Sequence, residues 1–198
     1  MTHEYLNLVQ PWRTHPPREL ARTRIFTLFS RRCDSPTNPA KSGDFVYLDP
    51  ADWVNVVAIT AAHEVVMIEQ YRHGLNEVTL ELPGGIVDFG EDPMAACTRE
   101  LLEETGYAPA LPAALARSIG VVSANPAIMT NRVHTGLIEH AIATGAQHLD
   151  GNEEIAVRLV PLIDVPSLIC RGIIHHSLVV AAFHHHALAG DLPSEKFR

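Results

Sequence analysis

The chain has 198 residues, of which 46% are hydrophobic, and a formal net charge of −8 at pH 7. This composition supports one sizeable core, while the negative charge argues against a protein that holds nucleic acid through a basic surface of clustered Lys and Arg. Three widely spaced cysteines without a Cys-x-x-Cys pair indicate neither a disulfide framework nor a structural zinc site. Because no apolar run approaches the ~18 residues of a membrane span, we expect a soluble cytoplasmic protein.

The N-terminal fifty residues predict an arm followed by strands. Residues 1–22 contain three prolines and no clear period, which indicates an extended arm. Residues 23–32 are rich in β-branched and aromatic side chains and predict a strand, and residues 45–48 predict a second. These strands could form an antiparallel ribbon. We therefore treat residues 1–50 as an N-terminal region and residues 51–198 as the main domain.

Strands and helices alternate in the remainder of the chain. Two apolar runs, residues 53–60 and 64–72, predict a hairpin, and a strand at residues 78–82 leads into a Pro-Gly-Gly turn. Later strands are predicted at residues 114–122, 132–141 and 155–162, and helices at residues 165–171 and 177–188. Five histidines in or just before the second of these helices are expected to be surface polar residues: His175, His176, His184, His185 and His186. This alternation indicates an α/β fold.

The central helix is predicted over residues 93–105. Asp92 suits the N-cap, Pro93 fits the first helical position, and Gly106 suits the left-handed turn that ends a helix. All three signals agree on the same two ends.

Three carboxylates crowd one edge of this helix. Glu100 and Glu104 lie about 40° apart around the axis, with Glu103 about 60° away on the other side of Glu100. Like charges at this spacing cost roughly 0.2–0.5 kcal/mol per pair, and the helix dipole adds partial negative charge at this end. A hard divalent cation would reverse this cost, because carboxylate oxygens are the ligands that Mg²⁺ accepts. The helix therefore predicts a metal-binding catalytic segment.

The same stretch fits the pattern G-x5-E-x7-R-E-U-x-E-E-x-G-U, in which U is a bulky apolar residue. Its positions are Gly85, Glu91, Arg99, Glu100, Leu101, Glu103, Glu104, Gly106 and Tyr107. The stretch resembles the box of the Nudix hydrolase family without a gap, with Tyr107 as a mild variation. The resemblance implies a Nudix-type α/β/α sandwich with a mixed sheet, preceded here by the N-terminal antiparallel strands.

The resemblance also implies a metal site and a reaction. The box helix of the family holds divalent cations, so we expect Mg²⁺, with Mn²⁺ as the alternative. The implied metal ligands are the backbone carbonyl of Gly84 and the side chains of Glu91, Glu100, Glu103 and Glu104. The three helix glutamates among them are also candidate catalytic residues. The implied chemistry is attack of water on a P–O–P linkage, with the metal neutralising the diphosphate and activating the water. Arg99 is expected to hold the glutamates in place.

The segment before the box, EQYRHGLNEVTLELPGG, resembles the branch of ADP-ribose pyrophosphatases and nucleoside-diphosphate-sugar hydrolases. On that resemblance Arg72 binds a substrate phosphate, for which its planar donor fork is suited. Glu81 would help to hold the nucleotide or the sugar. The alternatives are a surface ion pair of Arg72 with Glu69 or Glu77, and an edge-strand charge at Glu81.

Two further expectations concern the base and the oligomer. Trp53 is a candidate platform on which the base stacks, although an aromatic side chain in a strand often belongs to the core. In the branch that the segment resembles, the base is often gripped between two chains. Residues 1–50 are therefore a candidate dimerisation region, and the chain is expected to be a homodimer.

One departure from the branch concerns the general base. A glutamate is expected in the loop after the box, but Asn131 stands near its position, and an amide cannot accept a proton from water at neutral pH. Either another carboxylate is the base, or the metal alone suffices. Glu153 and Glu154 are the leading candidates, with Glu154 predicted as the catalytic residue and Glu139 behind them. The departure favours a sugar nucleotide over strict ADP-ribose specificity.

The predicted function is Mg²⁺-dependent hydrolysis of the pyrophosphate bond of nucleoside diphosphate sugars, giving a nucleoside monophosphate and a sugar phosphate. The alternative within enzymes is ADP-ribose hydrolysis proper, with cleansing of modified nucleoside triphosphates more distant. From a different class, the chain could be a nucleotide-sugar sensor that binds without turnover.

Overall fold

A computed structural model describes residues 8–111, 116–149, 151 and 153–190. Its contacts divide the chain into two compact units. One comprises Met1–Ala51 with Asn125–Asn131, and the other comprises Asp52–Ala124 with Arg132–Arg198. Each unit has a sheet of its own.

The first unit is an antiparallel sheet. Its strands within the described residues are β1 (Arg13–Thr14), β2 (Arg18–Arg22), β3 (Phe26–Asp34) and β4 (Gly43–Pro50). β3 pairs with each of the other three. The N-terminal antiparallel ribbon predicted from the sequence is confirmed by the β3–β4 pairing. The strands β1 and β2 were not predicted, because both are short and fully exposed and carry no apolar alternation.

The second unit contains the central sheet and the helices. Its strands are β5 (Trp53–Thr60), β6 (Glu64–Arg72), β7 (Glu77–Glu81), β8 (Tyr107–Pro109), β9 (Arg117–Ser123), β10 (Arg132–Ala143) and β11 (Ile155–Pro161). Its helices are α1 (Pro93–Thr105), α2 (Val165–Cys170) and α3 (Ser177–Ala189), with a short 3₁₀ turn at Leu162–Asp164 before α2.

The sheet of the second unit is mixed. β5 and β6 form the predicted antiparallel hairpin, and β10 runs parallel to β5. β7 and β11 pair antiparallel with β6, and β8 and β9 pair antiparallel with β10. The parallel β5–β10 pair needs a long crossover, and α1 lies within that connection. In the strand order β11-β6-β5-β10-β8, β5 is central, and it begins directly after Asp52.

Alternation along β5 buries both faces of the sheet. Val54 and Val56 pack in one cluster with Leu101 of α1, whereas Val57 packs in a second cluster with Phe183 of α3. Burying a side chain of this size contributes about 1.5–3 kcal/mol, so each helix is held mainly by its apolar face. Helices therefore cover both faces of a mixed sheet, which confirms the predicted α/β/α sandwich.

The predicted elements agree closely with the observed ones where local signals were strong. The hairpin strands and α1 have their predicted bounds. β9 begins at Arg117, and residues 114 and 115 of the strand predicted there lie outside the described residues. β8 was not predicted, because its three residues follow the helix directly. Within the described ranges, no helix combines the length and apolarity required to cross a bilayer.

Candidate active site

The acidic helix α1 is built by the local signals expected of it. The side chain of Asp92 accepts hydrogen bonds from the backbone N–H groups of Met94 at 2.8 Å and Ala95 at 3.2 Å. Pro93 occupies the first turn, and Gly106 adopts the left-handed conformation with φ of 70°. These caps fix both ends of the helix, so the rotational positions of its three glutamates are fixed as well.

Glu104 is a buried carboxylate at the inner end of the site. Its side chain is only 4% exposed, and its Oε2 accepts a hydrogen bond from the backbone N–H of Gly84 at 2.8 Å. Burial raises the pKa of Glu104 to about 8, with further raising from the nearby charges of Glu100 and Glu153. A carboxylate in this environment is costly while it carries a charge without a cation.

Arg99 joins the other acidic side chains of the site. Its Nη1 donates to Glu100 at 2.8 Å and to Glu103 at 3.0 Å, and its Nε donates to Glu91 at 3.0 Å. Its Nη2 donates to Glu91 and to the carbonyl of Ile86. These hydrogen bonds, that with Glu91 foremost, raise the pKa of Arg99 despite partial burial, and hydrogen bonding to Arg99 lowers the pKa of Glu91. The observed contacts agree with the expectation that Arg99 holds the glutamates in place.

The four carboxylates near Arg99 and Gly84 differ in solvent exposure and in their hydrogen-bond partners. Glu100 is 14% exposed and Glu103 44% exposed, whereas Glu91 is engaged through both oxygens by Arg99 and also accepts from the N–H of Asp88. Burial raises the pKa of Glu100, although Arg99 counteracts this effect. Glu100, Glu103 and Glu104 therefore face one region, and Glu91 supports it from the side of Arg99.

Two glycines allow the turn before the box to lie against the site. A Cβ added at Gly85 would collide with the carboxylate of Glu100, and one added at Gly84 would collide with the carbonyl of Val54. The carbonyls of Pro83 and Gly85 accept hydrogen bonds from β5. The absence of a side chain therefore provides space in which the backbone approaches the glutamates closely.

The residues fit a divalent cation in charge and donor type, although their oxygens are not gathered around one point. Among the described residues, no group of three or more His, Cys, Asp or Glu side chains is arranged to hold a metal ion as it stands. Arg99 takes up oxygens of Glu100 and Glu103 instead. A hard cation would offset the cost of charge on the buried Glu104, whose pKa is raised. Gly85, which has no side chain, leaves room beside it for the carboxylate of Glu100.

A cavity of about 450 Å³ lies over these glutamates. It is lined by Trp53, Gln70, Arg72, Gly84, Gly85, Ile86, Asp88, Arg99, Glu100, Glu103, Glu104, His148 and Glu153. Three of its glutamates lie on α1, whereas Arg72 and Trp53 lie at the ends of β6 and β5. The guanidinium carbon of Arg72 lies 5.9 Å from the ring centre of Trp53. The two groups therefore lie together, within reach of one bound molecule.

Arg72 is held by Glu81 from inside the protein. Glu81 is 2% exposed and accepts from Nε and Nη2 of Arg72, both at 2.8 Å, and from the hydroxyl of Thr79. Burial alone would raise the pKa of Glu81, but the hydrogen bonds from Arg72 and Thr79 and the close contact of His176 outweigh it and hold the pKa far below its usual range. Glu81 does not appear among the residues that line the cavity. Its carboxylate is engaged by Arg72, which does line it.

The loop before β11 supplies cavity residues that sequence reasoning missed or left open. His148 lines the cavity, and its backbone N–H donates to the carbonyl of Glu103 at 2.8 Å. Glu153 lines the same cavity, whereas Glu154 is absent from its lining and contributes, with Glu153, to a neighbouring depression beside Tyr71. No motif indicated His148, because its position depends on how this loop folds back onto the end of α1.

Asn131, which stands near the expected loop glutamate, has a structural environment. It is buried, and its Nδ2 donates to the carbonyl of Ala51 at 3.0 Å. Two aromatic side chains of β4 likewise have local partners. Tyr47 stacks with Phe29, and Phe45 contacts the edge of Trp12.

Comparison with known proteins gives several matches. The family model described as the NUDIX domain matches residues 49–176. The ADP-ribose pyrophosphatase of Bacillus subtilis (strain 168) is 29% identical over 147 residues, which are 74% of this chain and 76% of that protein. The methanol dehydrogenase activator of Bacillus methanolicus is 50% identical over 54 residues, 27% of this chain and 29% of that protein.

A third relative and a solved structure also match the chain. The ADP-sugar pyrophosphatase of Mus musculus is 42% identical over 72 residues, 36% of this chain and 31% of that protein. The match thus spans less than a third of the mouse protein and of the methanol dehydrogenase activator. A crystal structure of an ADP compounds hydrolase superposes with a TM-score of 0.75 at 20% identity, covering 94% of this chain and 98% of that one, which shows a shared fold. Since the family model covers more than half of the chain, including the whole acidic helix and its preceding turn, the chain belongs to the Nudix family.

Proposed function

We propose that the chain hydrolyses the pyrophosphate bond of nucleoside diphosphate sugars, giving a nucleoside monophosphate and a sugar phosphate. The observation that carries this proposal is one cavity lined both by three glutamates of α1 and by Arg72 with Trp53. A diphosphate needs both, because its charge requires a cation on one side and directional donors on the other. The names of the relatives, ADP-ribose pyrophosphatase and ADP-sugar pyrophosphatase, support this class of substrate.

The metal would be held by the box helix and the turn before it. Glu100, Glu103 and Glu104, with the carbonyl of Gly84, provide the hard oxygen ligands for Mg²⁺, with Mn²⁺ as the alternative. Bound there, the cation would neutralise charge on the diphosphate and polarise phosphorus. Glu91 contributes by aligning Arg99, which in turn orients Glu100 and Glu103.

The substrate would be oriented by the basic and aromatic residues of the same cavity. Arg72 donates to a phosphate oxygen through its planar fork, while Glu81 keeps the guanidinium in place from behind. Trp53 offers a ring face on which the base stacks. These contacts position the P–O–P linkage against the acidic side of the cavity.

The proton of the attacking water would be accepted by a carboxylate on the loop before β11. Glu153 is favoured over Glu154, since Glu153 lines the cavity and its neighbour lines the adjacent depression. A carboxylate within reach of the water can serve as general base, which the buried amide of Asn131 cannot.

Turnover on a panel of substrates tests the proposal. Purified protein with Mg²⁺ should release a monophosphate from ADP-ribose, ADP-glucose or UDP-glucose, measured as phosphate set free by an added phosphatase. Glu103→Gln should lower kcat by at least about a hundredfold, and its fold should persist because Glu103 is 44% exposed. Tight binding without turnover by the unaltered protein would instead indicate the sensor. The ratio of kcat/KM on ADP-ribose to that on the glucose nucleotides separates the two enzymatic alternatives.

Residues 1–50 are proposed as the dimerisation region of a homodimer. The first unit exposes several large apolar side chains, among them Leu20, Ile25, Phe45 and Val46. Such exposure favours contact with another protein surface. Light scattering of the whole chain should give the mass of a dimer, and Val46→Asp should shift it toward the monomer.

The three free cysteines support a cytoplasmic, reducing compartment.

A further inference from the structure

The buried carboxylate of Glu81 is held on both of its oxygens. Oε1 accepts from Nε of Arg72 and from the hydroxyl of Thr79, and Oε2 accepts from Nη2 of Arg72. The side chain of His176 completes this arrangement, because its Nδ1 lies 3.0 Å from Oε2. Thr79 therefore fixes one oxygen of the carboxylate and His176 faces the other.

His176 lies at a helix end, where its residue type is unexpected. It is the N-cap residue of α3, a position that favours Ser, Thr, Asp or Asn, and its side chain makes no capping hydrogen bond. Its Nδ1 is buried, and its 3.0 Å contact with Oε2 of Glu81 lies outside hydrogen-bond geometry. His176 thus occupies a position where a capping side chain would stabilise the helix, and it faces a buried carboxylate instead. This departure from the local preference indicates a role at that carboxylate.

The neighbouring histidine provides an internal comparison. Nε2 of His175 lies 3.4 Å from Oε1 of Glu77, which belongs to β7 as Glu81 does. The side chain of Glu77 is 51% exposed, so this contact lies at the surface. Glu77 lines no part of the active-site cavity. Adjacent histidines thus face two glutamates of one strand, and only the contact of His176 continues through Glu81 to Arg72.

We propose that His176 is a positioning residue for substrate binding, which acts through Glu81 to fix the guanidinium of Arg72 in the cavity. This inference rests on the proposed role of Arg72 in binding the diphosphate. The bidentate bond to Glu81 uses one edge of the guanidinium, so any rotation of Glu81 is transmitted to the edge that carries Nη1. Without His176, Oε2 of Glu81 retains only Arg72, and the pair can rotate together about Thr79.

Paired substitutions test this role. His176→Ala should raise KM for ADP-ribose about threefold to tenfold, the usual range for one lost polar contact, with a smaller change in kcat. The same variant should weaken binding of α,β-methylene ADP-ribose, measured by calorimetry, by a similar factor. His175→Ala is the matched control and should leave both quantities unchanged. His176→Asn should restore most of the affinity, because its amide nitrogen can occupy the place of Nδ1. In an Arg72→Ala background, His176→Ala should have no further effect.

The outcomes separate this inference from the proposed function. Equal KM and Kd for the His176→Ala and His175→Ala proteins, with wild-type melting temperatures, would overturn the positioning role. An additive loss in the Arg72→Ala background would overturn it as well, because the effect would not pass through Arg72. If the unaltered protein hydrolyses none of the substrates, the proposed function fails, and the binding measurements still decide the role of His176.

Discussion

Replacing Glu104 by Gln should stabilise the metal-free protein while removing activity. The carboxylate is 4% exposed, and the backbone N–H of Gly84 donates to its Oε2. Gln keeps an acceptor oxygen for that bond and has nearly the same volume, but it carries no charge. The substitution therefore isolates the electrostatic cost of burying this carboxylate, because packing changes little.

The magnitude follows from the pKa of Glu104. Burial raises it from 4.5 to about 8, so the folded state binds more protons than the unfolded state between these values. The free energy of unfolding must then fall as the pH rises through this window, and it levels off above about pH 8. At ~1.4 kcal/mol per pKa unit, the variant should gain about 2 kcal/mol over the unaltered protein at pH 6 and about 3–5 kcal/mol at pH 8.

Urea denaturation in EDTA at several pH values from 5 to 8.5 measures this difference. Adding Mg²⁺ should then stabilise the unaltered protein more than the variant, by ~2.7 kcal/mol at a concentration 100 times the Kd. A difference that stays constant with pH to within about 0.5 kcal/mol, or a variant that is less stable at pH 8, would refute the reasoning.

Three further predictions address the neighbouring groups. Arg99→Ala should raise the Mg²⁺ concentration required for half-maximal activity about tenfold or more, because the glutamates lose their common anchor; activity titrated against Mg²⁺ checks this, and an unchanged midpoint would contradict it. Gly85→Ala should lower the measured activity at least about tenfold with a small decrease in melting temperature, since the new Cβ would displace the carboxylate of Glu100. A variant with full activity would show that the space beside Gly85 is not required. Glu153→Gln should lower kcat about a hundredfold or more whereas Glu154→Gln should not, as steady-state turnover of both variants would show; the reverse order would transfer the role of base to Glu154.

Local signals allowed α1 and its surroundings to be predicted from the sequence. The cap at Asp92, the proline after it and the left-handed Gly106 act within a few residues, so the bounds of α1 were predicted to the residue. The hairpin of β5 and β6 was equally accessible, because both strands are continuous apolar runs buried between two helix layers. The short strands β1, β2 and β8 have no such pattern and depend on pairing with distant strands.

The parts of the site that depend on distant contacts could not be predicted. His176 was expected to be a surface residue, but it lies half-buried against Glu81, because the loop before α3 packs on β7. The sequence indicated Glu81 as a possible substrate ligand, whereas its burial behind Arg72 became visible only in the structure. The choice between Glu153 and Glu154 likewise depends on which way each side chain faces just before β11 begins.

The hydrogen bond from the Gly84 amide to Glu104 gives this protein a built-in spectroscopic probe. The chemical shift of that amide should respond when the carboxylate loses its proton and again when an ion arrives, without any substrate present. The chain contains 12 glycines, so a spectrum of protein labelled only at glycine nitrogen is sparse enough to follow this one resonance. Occupancy of the centre can then be titrated directly, independently of turnover.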